Sequence, residues 1–114
     1  MKELFNLFDE IGLPYFQQGS LSIDDYPPTF FTVFNYDTPN DSFYDNGEHR
    51  YIELVQVCLY TTDADAVYTI MDDFIRRAKE KGFVVSGMAH DVMTDKDNYY
   101  GRLCNIKIIH RLED

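Results

Sequence analysis

Residues 62–82 of the chain read TDADAVYTIMDDFIRRAKEKG. Apolar side chains recur there at intervals of three and four residues, the spacing that places them on one side of an α-helix. They are Ala64, Val67, Ile70, Met71, Phe74, Ile75 and Ala78. Thr62 or Asp63 can cap the start of this helix, and Gly82 can end it. The segment therefore predicts an amphipathic helix over residues 62–81 that covers one face of a sheet.

The exposed side of this helix carries charges in a regular spacing. Asp72 precedes Arg76 by four residues, and Asp73 precedes Arg77 by the same interval. Residues four apart are neighbours on a helix surface, so both spacings predict an ion pair.

The segments around this helix favour strands. Four of them are rich in β-branched and aromatic residues: 30–36, 51–60, 83–87 and 102–110. At the N-terminus, Leu4, Leu7, Phe8 and Ile11 have helical spacing, and Gly12 ends the pattern. The connection 13–29 is expected to be irregular and can include a short strand near 15–17.

The order of these elements predicts an α+β fold in one domain, residues 1–114. We expect an antiparallel sheet of about four strands. The main amphipathic helix (62–81) packs on one face of this sheet, and a short N-terminal helix precedes it.

Composition and charge exclude several classes of function. The 114 residues include 10 Lys and Arg against 20 Asp and Glu, which gives a formal net charge of −10. Binding to nucleic acid phosphates depends on basic residues that release counterions, so we expect no direct grip on nucleic acid. The same surplus disfavours an anionic membrane surface, and no apolar stretch is long enough for a spanning helix.

The acidic segment Asp37–Glu48 has the twelve-residue length of a calcium-binding EF-hand loop. However, Pro39 stands at the third ligand position, and Ser42 stands where the sharp turn needs glycine. The flanking segments also favour strands over helices. We therefore interpret 37–48 as a solvated hairpin loop, and we expect no metal and no cofactor.

Catalytic motifs are absent from the sequence. Cys58 and Cys104 lie within apolar strands, where a thiol usually behaves as a small buried apolar group. His49, His90 and His110 are far apart and have no metal-ligand spacing. The glycine-rich phosphate loops, the nucleophile elbow and the zinc-protease motif do not occur. We expect no catalytic residue and no enzymatic activity.

Aromatic residues are the most unusual feature of the composition. Nine Phe and nine Tyr exceed what one core face can bury. Either both sheet faces are half-covered, since Tyr tolerates water, or part of the aromatic surface is buried against another protein. Phe43 and Tyr44 support the second interpretation because they lie in an otherwise polar segment.

The order of these features resembles a known family. A short helix, an aromatic strand that follows Pro27-Pro28, and the stretch Asp41–Gly47 that leads into strand 51–61 are similar to small proteins of tailed-phage and prophage morphogenesis clusters. Over residues 1–112 the chain resembles the tail-terminator and tail-completion group, which shares the fold of the lambda-type tail terminator.

The resemblance implies a non-enzymatic virion protein with no catalytic residue. Such a protein assembles as a homo-oligomeric ring, typically a hexamer, at the head-proximal end of the tail, and its partners are tail-tube or connector proteins. It would be located in the cytoplasm of the bacterial host during assembly and then in the virion tail or neck. We place the subunit contacts at Phe43, Tyr44, Asp45, Asn46 and Tyr51.

Two other classes of function remain open at the level of sequence. The first is an acidic protein-binding module, such as a DNA mimic that inhibits a nucleic-acid enzyme; it requires spaced rows of carboxylates on one surface. The second is a small enzyme or ligand-binding domain, which would require a closed apolar pocket with convergent His49, His90 or His110.

Overall fold

The computed structural model describes residues 2–17, 26–37, 50–94 and 98–111. Within these ranges the chain forms two helices and five strands. In chain order they are α1 (Lys2–Ile11), β1 (Tyr15–Gln17), β2 (Thr29–Asp37), β3 (Arg50–Thr61), α2 (Ala66–Glu80), β4 (Val84–Val92) and β5 (Tyr100–Arg111).

The five strands form one mixed sheet in the order β1-β2-β3-β5-β4. The α+β class is confirmed, but the expectation of about four antiparallel strands is wrong in one respect. β1 is a fifth strand and runs parallel to β2, with Tyr15 opposite Phe31. The amide of Phe31 also donates to the carbonyl of Pro14 at 2.9 Å. Three residues are too few to show a periodicity, so the sequence alone leaves this strand undetermined.

Both helices pack on one face of the sheet, which we call the inner face. Three stacked or tilted rings join the two helices to β2. Phe8 of α1 lies 4.6 Å from Phe31 and 5.6 Å from Phe74 of α2, measured between ring centroids. Phe31 and Phe74 are 5.4 Å apart. All three side chains are fully buried, so this triad is the centre of the main core.

The main helix, α2, begins at Ala66 rather than at residue 62, because the residues before Ala66 form the cap of the helix. The carboxylate of Asp63 accepts hydrogen bonds from the amides of Asp65 at 2.9 Å and Ala66 at 3.2 Å. Asp63 is therefore the capping side chain, one of the two residues proposed from the sequence. At the other end Gly82 has a φ of +92°, and the amide of Phe83 bonds back to Ala78 at 2.9 Å. A residue without a Cβ suits this left-handed stop.

The exposed side of α2 carries one of the two predicted ion pairs. Arg77 donates to Asp73 at 2.9 Å, as the spacing predicts. Arg76 does not pair with Asp72, however; it bonds to Asp73 and to Glu80. Its long side chain reaches a carboxylate one turn away in both directions, and this arrangement replaces the expected pair.

The opposite face, which we call the outer face, has its own small aromatic cluster at one end. Phe30 is buried there, and its ring contacts Phe16, Tyr26, Tyr60 and Tyr99 at centroid distances from 5.4 to 6.1 Å. The Tyr99 hydroxyl donates to the backbone carbonyls of Pro27 at 2.7 Å and Tyr26 at 3.3 Å. The aromatic residues are therefore divided between two faces, and neither face buries all of them.

Candidate functional site

The part of the outer face beyond this cluster is exposed to solvent. Phe34 of β2, Val84 of β4 and Ile109 of β5 are 41–45% exposed there. Ile52 and Leu54 of β3 and Lys107 of β5 are half-buried between them. We call these six residues the outer patch. It spans four neighbouring strands and carries large apolar side chains around one lysine.

The strand register explains how these side chains come together. Leu54 lies opposite Lys107, and Lys107 lies opposite Val84 in the next strand. Ile52 lies opposite Ile109. Successive side chains of a strand point to opposite faces, so residues that flank the buried inner-face positions must face outward. The outer patch is thus a consequence of continuous pairing between β3 and β5.

The edge of the sheet beside Phe34 is also open in the part of the chain that the structure describes. β1 pairs with β2 only from Phe31 to Val33. β2 continues to Asp37, four residues farther along. Among the described residues, nothing pairs with the edge of β2 beside Phe34, and the Phe34 side chain itself is exposed.

A second exposed area lies at the far end of the sheet, on the inner face beside the start of α2. Its large side chains are Tyr68 of α2, Met93 after β4 and Tyr100 of β5; Met93 is 98% exposed. Asp91 lies opposite Arg102 in the register of β4 and β5, and Met93 follows Val92, which lies opposite Gly101, the neighbour of Tyr100. We call Tyr68, Asp91, Met93, Tyr100 and Arg102 the rim patch.

An ion pair beneath an aromatic ring organises the rim patch. Arg102 donates to Asp91 at 2.7 Å and to the carbonyl of Ala89 at 3.1 Å. The guanidinium carbon lies 5.0 Å from the centroid of the Tyr68 ring, within the range of a cation–π contact. The Tyr68 hydroxyl donates to the second oxygen of Asp91 at 3.0 Å. These contacts connect the first turns of α2 to β4 and β5.

The ionisation of the rim patch follows from these hydrogen bonds. Bonds donated by Arg102 and Tyr68 to the carboxylate lower the pKa of Asp91. The same bond to Asp91, together with the negative charge of that carboxylate, raises the pKa of Tyr68. Arg102 Nε is buried and has no hydrogen-bond partner among the described residues. Asp91 and Arg102 thus form an ion pair that orients the Tyr68 side chain.

The residues predicted as subunit contacts are not brought together by the described structure. Phe43, Tyr44, Asp45 and Asn46 lie outside the described residues. Tyr51 lies in β3, where its backbone is paired opposite His110 of β5. The predicted contact set therefore stays a prediction.

The residues considered for metal or nucleophilic chemistry form no site within the described ranges. His90 is exposed on β4, and His49 lies outside the described residues. Within the described ranges, no three His, Cys, Asp or Glu side chains are close enough to hold a metal ion. Both cysteines are buried and free of any disulfide bond. Burial raises the pKa of the Cys104 thiol to about 12, and burial also raises that of Cys58.

The sequence reasoning missed the rim patch, although a signal was present. Met93 is an isolated large apolar residue in a polar connection, the same signal that singled out Phe43 and Tyr44. Tyr68 lies beside the apolar stripe of α2. What the sequence does not show is that α2, β4 and β5 bring these residues to one corner.

No family model matches the sequence, and no curated protein matches it. Neither helix within the described ranges is long and apolar enough to cross a membrane. The resemblance to tail terminators thus rests on the sequence pattern alone.

Proposed function

We propose that this chain is a non-enzymatic structural subunit that assembles with copies of itself, as a tail-terminator or tail-completion protein of a tailed phage or prophage. The observation that supports self-assembly is the outer patch: a sheet whose inner face is covered by its own helices leaves large apolar side chains exposed on the other face.

The energetic argument for association is the hydrophobic effect. Removing apolar surface from water contributes about 25 cal/mol per Å². Phe34, Val84 and Ile109 each leave two-fifths or more of their surface in water. Contiguous apolar patches on a soluble domain commonly mark sites of protein interaction. Burial of the outer patch against another subunit would recover this free energy.

As a tail terminator, the protein would form a ring at the head-proximal end of the tail. The ring would stop polymerisation of the tail tube and present a face to the connector. Contacts between unlike surfaces of identical subunits close into a ring when the rotation between neighbours permits it. The net charge of −10 suits a lumen that repels passing DNA.

The alternative of a DNA mimic has less support from the helices. A mimic needs rows of unpaired carboxylates, but several acids on the helices pair with bases. Asp73 pairs with Arg77, and Glu10 of α1 pairs with Lys81 at 3.4 Å. These pairs reduce the negative potential of the helical layer, and no described surface favours this second function.

The experiment that tests the proposal measures mass and shape in solution. Size-exclusion chromatography with light scattering, over a wide range of protein concentration, should show a mass that rises above that of the monomer. Negative-stain electron microscopy should show rings, alone or on the ends of tail tubes. Added to a polymerising tail-tube protein, the chain should shorten the tubes.

One outcome of these measurements would contradict the proposed function. A strict monomer at every concentration that neither binds tube ends nor changes tube length would exclude the proposed function. Inhibition of a DNA-processing enzyme by that monomer would support the mimic instead.

A further inference from the structure

We infer that the outer patch of one copy packs against the rim patch of the next copy, so that the subunits associate head to tail. This inference rests on the proposed self-assembly, and it names the two surfaces that meet. The occupant of each patch is a second copy of this chain.

The first argument is the position of the two patches. The outer patch includes the pair Ile52–Ile109, and the rim patch includes Tyr100, which lies opposite Thr61. From Ile52 to Thr61 the chain advances nine residues along β3, about 30 Å at the rise of an extended strand. The patches also lie on opposite faces of the sheet. One two-fold contact cannot bury both of them, whereas a repeated contact between unlike patches buries both in every subunit.

The second argument is charge. Lys107 of β5 is the one charged member of the outer patch, and it lies between Leu54 and Val84 in the strand register. In the rim patch Asp91 is paired with Arg102, so the excess negative charge comes from two exposed acids beside it, Asp63 and Asp65, which precede α2. Contact between unlike patches brings opposite charges together. Contact between like patches brings like charges together, which is unfavourable.

The third argument is the chemistry of the rim patch. Tyr, Met and Arg are enriched in the cores of protein interfaces. Tyr68 and Arg102 are already held in place by their contacts with Asp91, so they lose little freedom when a partner binds. Met93 is unbranched and nearly fully exposed, which lets it adapt to an aliphatic surface such as the outer patch.

The decisive experiment combines two variants that each lose one patch. Phe34→Glu removes the outer patch and keeps the rim patch; Met93→Glu removes the rim patch and keeps the outer patch. Each variant alone should remain a monomer at concentrations where the wild-type protein assembles. Mixed in equal amounts, the two should form a one-to-one dimer and nothing larger, because only one intact contact is left. Native mass spectrometry resolves the two masses.

The same measurements define what overturns the inference. An outer-to-outer contact predicts that Met93→Glu assembles normally and that the mixture gives no heterodimer. Assembly of either variant to the wild-type mass contradicts the inference. Circular dichroism and thermal unfolding check that both chains are folded, which we expect because both side chains are exposed.

A charge-reversal pair tests complementarity without apolar changes. Lys107→Glu and Asp65→Lys should each weaken association by about tenfold, and the double variant should recover most of the loss. Asp65 is suitable because its side chain makes no capping hydrogen bond. Additive weakening in the double variant contradicts the inference.

These outcomes separate the inference from the proposed function. A wild-type protein that assembles while both patch variants assemble equally well excludes only the head-to-tail contact. A wild-type protein that assembles neither in solution nor on tube ends, and does not change tube length, excludes both.

Discussion

Phe31 and Phe34 are three residues apart in β2, but Phe31 is buried and Phe34 is exposed. Phe31 is 0% exposed on the inner face, where the rings of Phe8 and Phe74 contact it. Phe34 is 45% exposed on the outer face. The same residue type in the same strand thus belongs to the core on one face and to a free surface on the other. The difference shows that strand composition alone does not determine burial: the two helices do.

The two ends of the outer face differ in the same way. At one end Phe30 is buried by four aromatic rings. At the other end, within the described residues, no comparable cover lies over the outer patch. The first end behaves as a second core, and the second end as a surface available to a partner.

The largest expected effect compares the two phenylalanines directly. Phe31→Ala should lower the free energy of unfolding by about 3–5 kcal/mol because it leaves a cavity between both helices and the sheet. Phe34→Ala should lower it by less than about 1 kcal/mol, since the side chain already contacts water. Urea unfolding of the monomeric proteins measures both. Equal losses would mean that the outer patch belongs to the core.

The next effect tests how tightly the outer face is packed beside the aromatic cluster. A Cβ at Gly101 would lie 2.7 Å from Val92 Cγ2 and 3.1 Å from Tyr60 Cε1. Gly101→Ala should therefore cost about 1–3 kcal/mol of stability through overpacking. Ser86→Ala, at an exposed position of β4, is the matched control and should change stability by less than about 0.5 kcal/mol. A neutral Gly101→Ala would show that the side chains of Val92 and Tyr60 move aside without cost.

A smaller effect separates the hydrogen-bonded hydroxyl of a half-buried tyrosine from that of its exposed neighbour. Tyr99→Phe removes the hydrogen bonds to the carbonyls of Pro27 and Tyr26. It should lower stability by about 0.5–1.5 kcal/mol, the usual net contribution of such bonds. Tyr100→Phe, one residue later and half-exposed, should have no measurable effect in thermal unfolding. If the two variants behave alike, the Tyr99 hydroxyl does not hold the 26–28 segment in place.

The smallest effect is a pH dependence at the rim patch. The pKa of Asp91 is lowered in the folded state by hydrogen bonds from Arg102 and Tyr68. Its stabilising contribution is therefore present above the unfolded-state pKa of about 3.9 and is lost as the pH falls through the folded-state pKa. Asp91→Asn should be less stable than wild type at neutral pH, and the two should converge in acid. Urea midpoints over a pH series measure this convergence.

Asp72→Asn serves as the control for this series, since Asp72 is exposed on α2. The variant removes one exposed carboxylate and leaves every contact of the rim patch in place. A gap between Asp91→Asn and wild type that persists in strong acid would mean that Asp91 acts by packing rather than by charge.

Much of this fold could be predicted from the sequence because its main elements have strong periodicity. α2 and the long strands β3 and β5 lie within two residues of their predicted ends, except where Asp63 caps the helix. β4 was predicted to end at Gly87 but continues to Val92. Gly87 has a φ of +75°, and the register shifts between Ser86 and His90. This bulge breaks the alternation that sequence reasoning depends on.

The sequence predicted that some aromatic residues would stay outside the core, but it did not predict which surfaces they would form. The surplus of Phe and Tyr indicated that one core would not bury all of them, and the partial cover of the outer face agrees with that reasoning. For the rim patch the sequence offered only the isolated Met93, because Tyr68, Asp91 and Arg102 are distant in sequence and meet only when α2 packs against the paired strands β4 and β5. The pattern of a sequence shows which side chains are unusual, whereas topology decides which of them are neighbours.

The two thiols provide a direct way to observe the two faces separately. Cys104 is in the main core, and Cys58 is on the neighbouring strand, where alternation directs it to the outer face. Because they are on opposite sides of the sheet, oxidation cannot join them within the folded chain. A thiol-reactive dye should therefore label Cys58 when the side chains that bury it on the outer face move away. It should label Cys104 only when the helices separate from the inner face. The protein thus contains its own pair of kinetic reporters, one for each face.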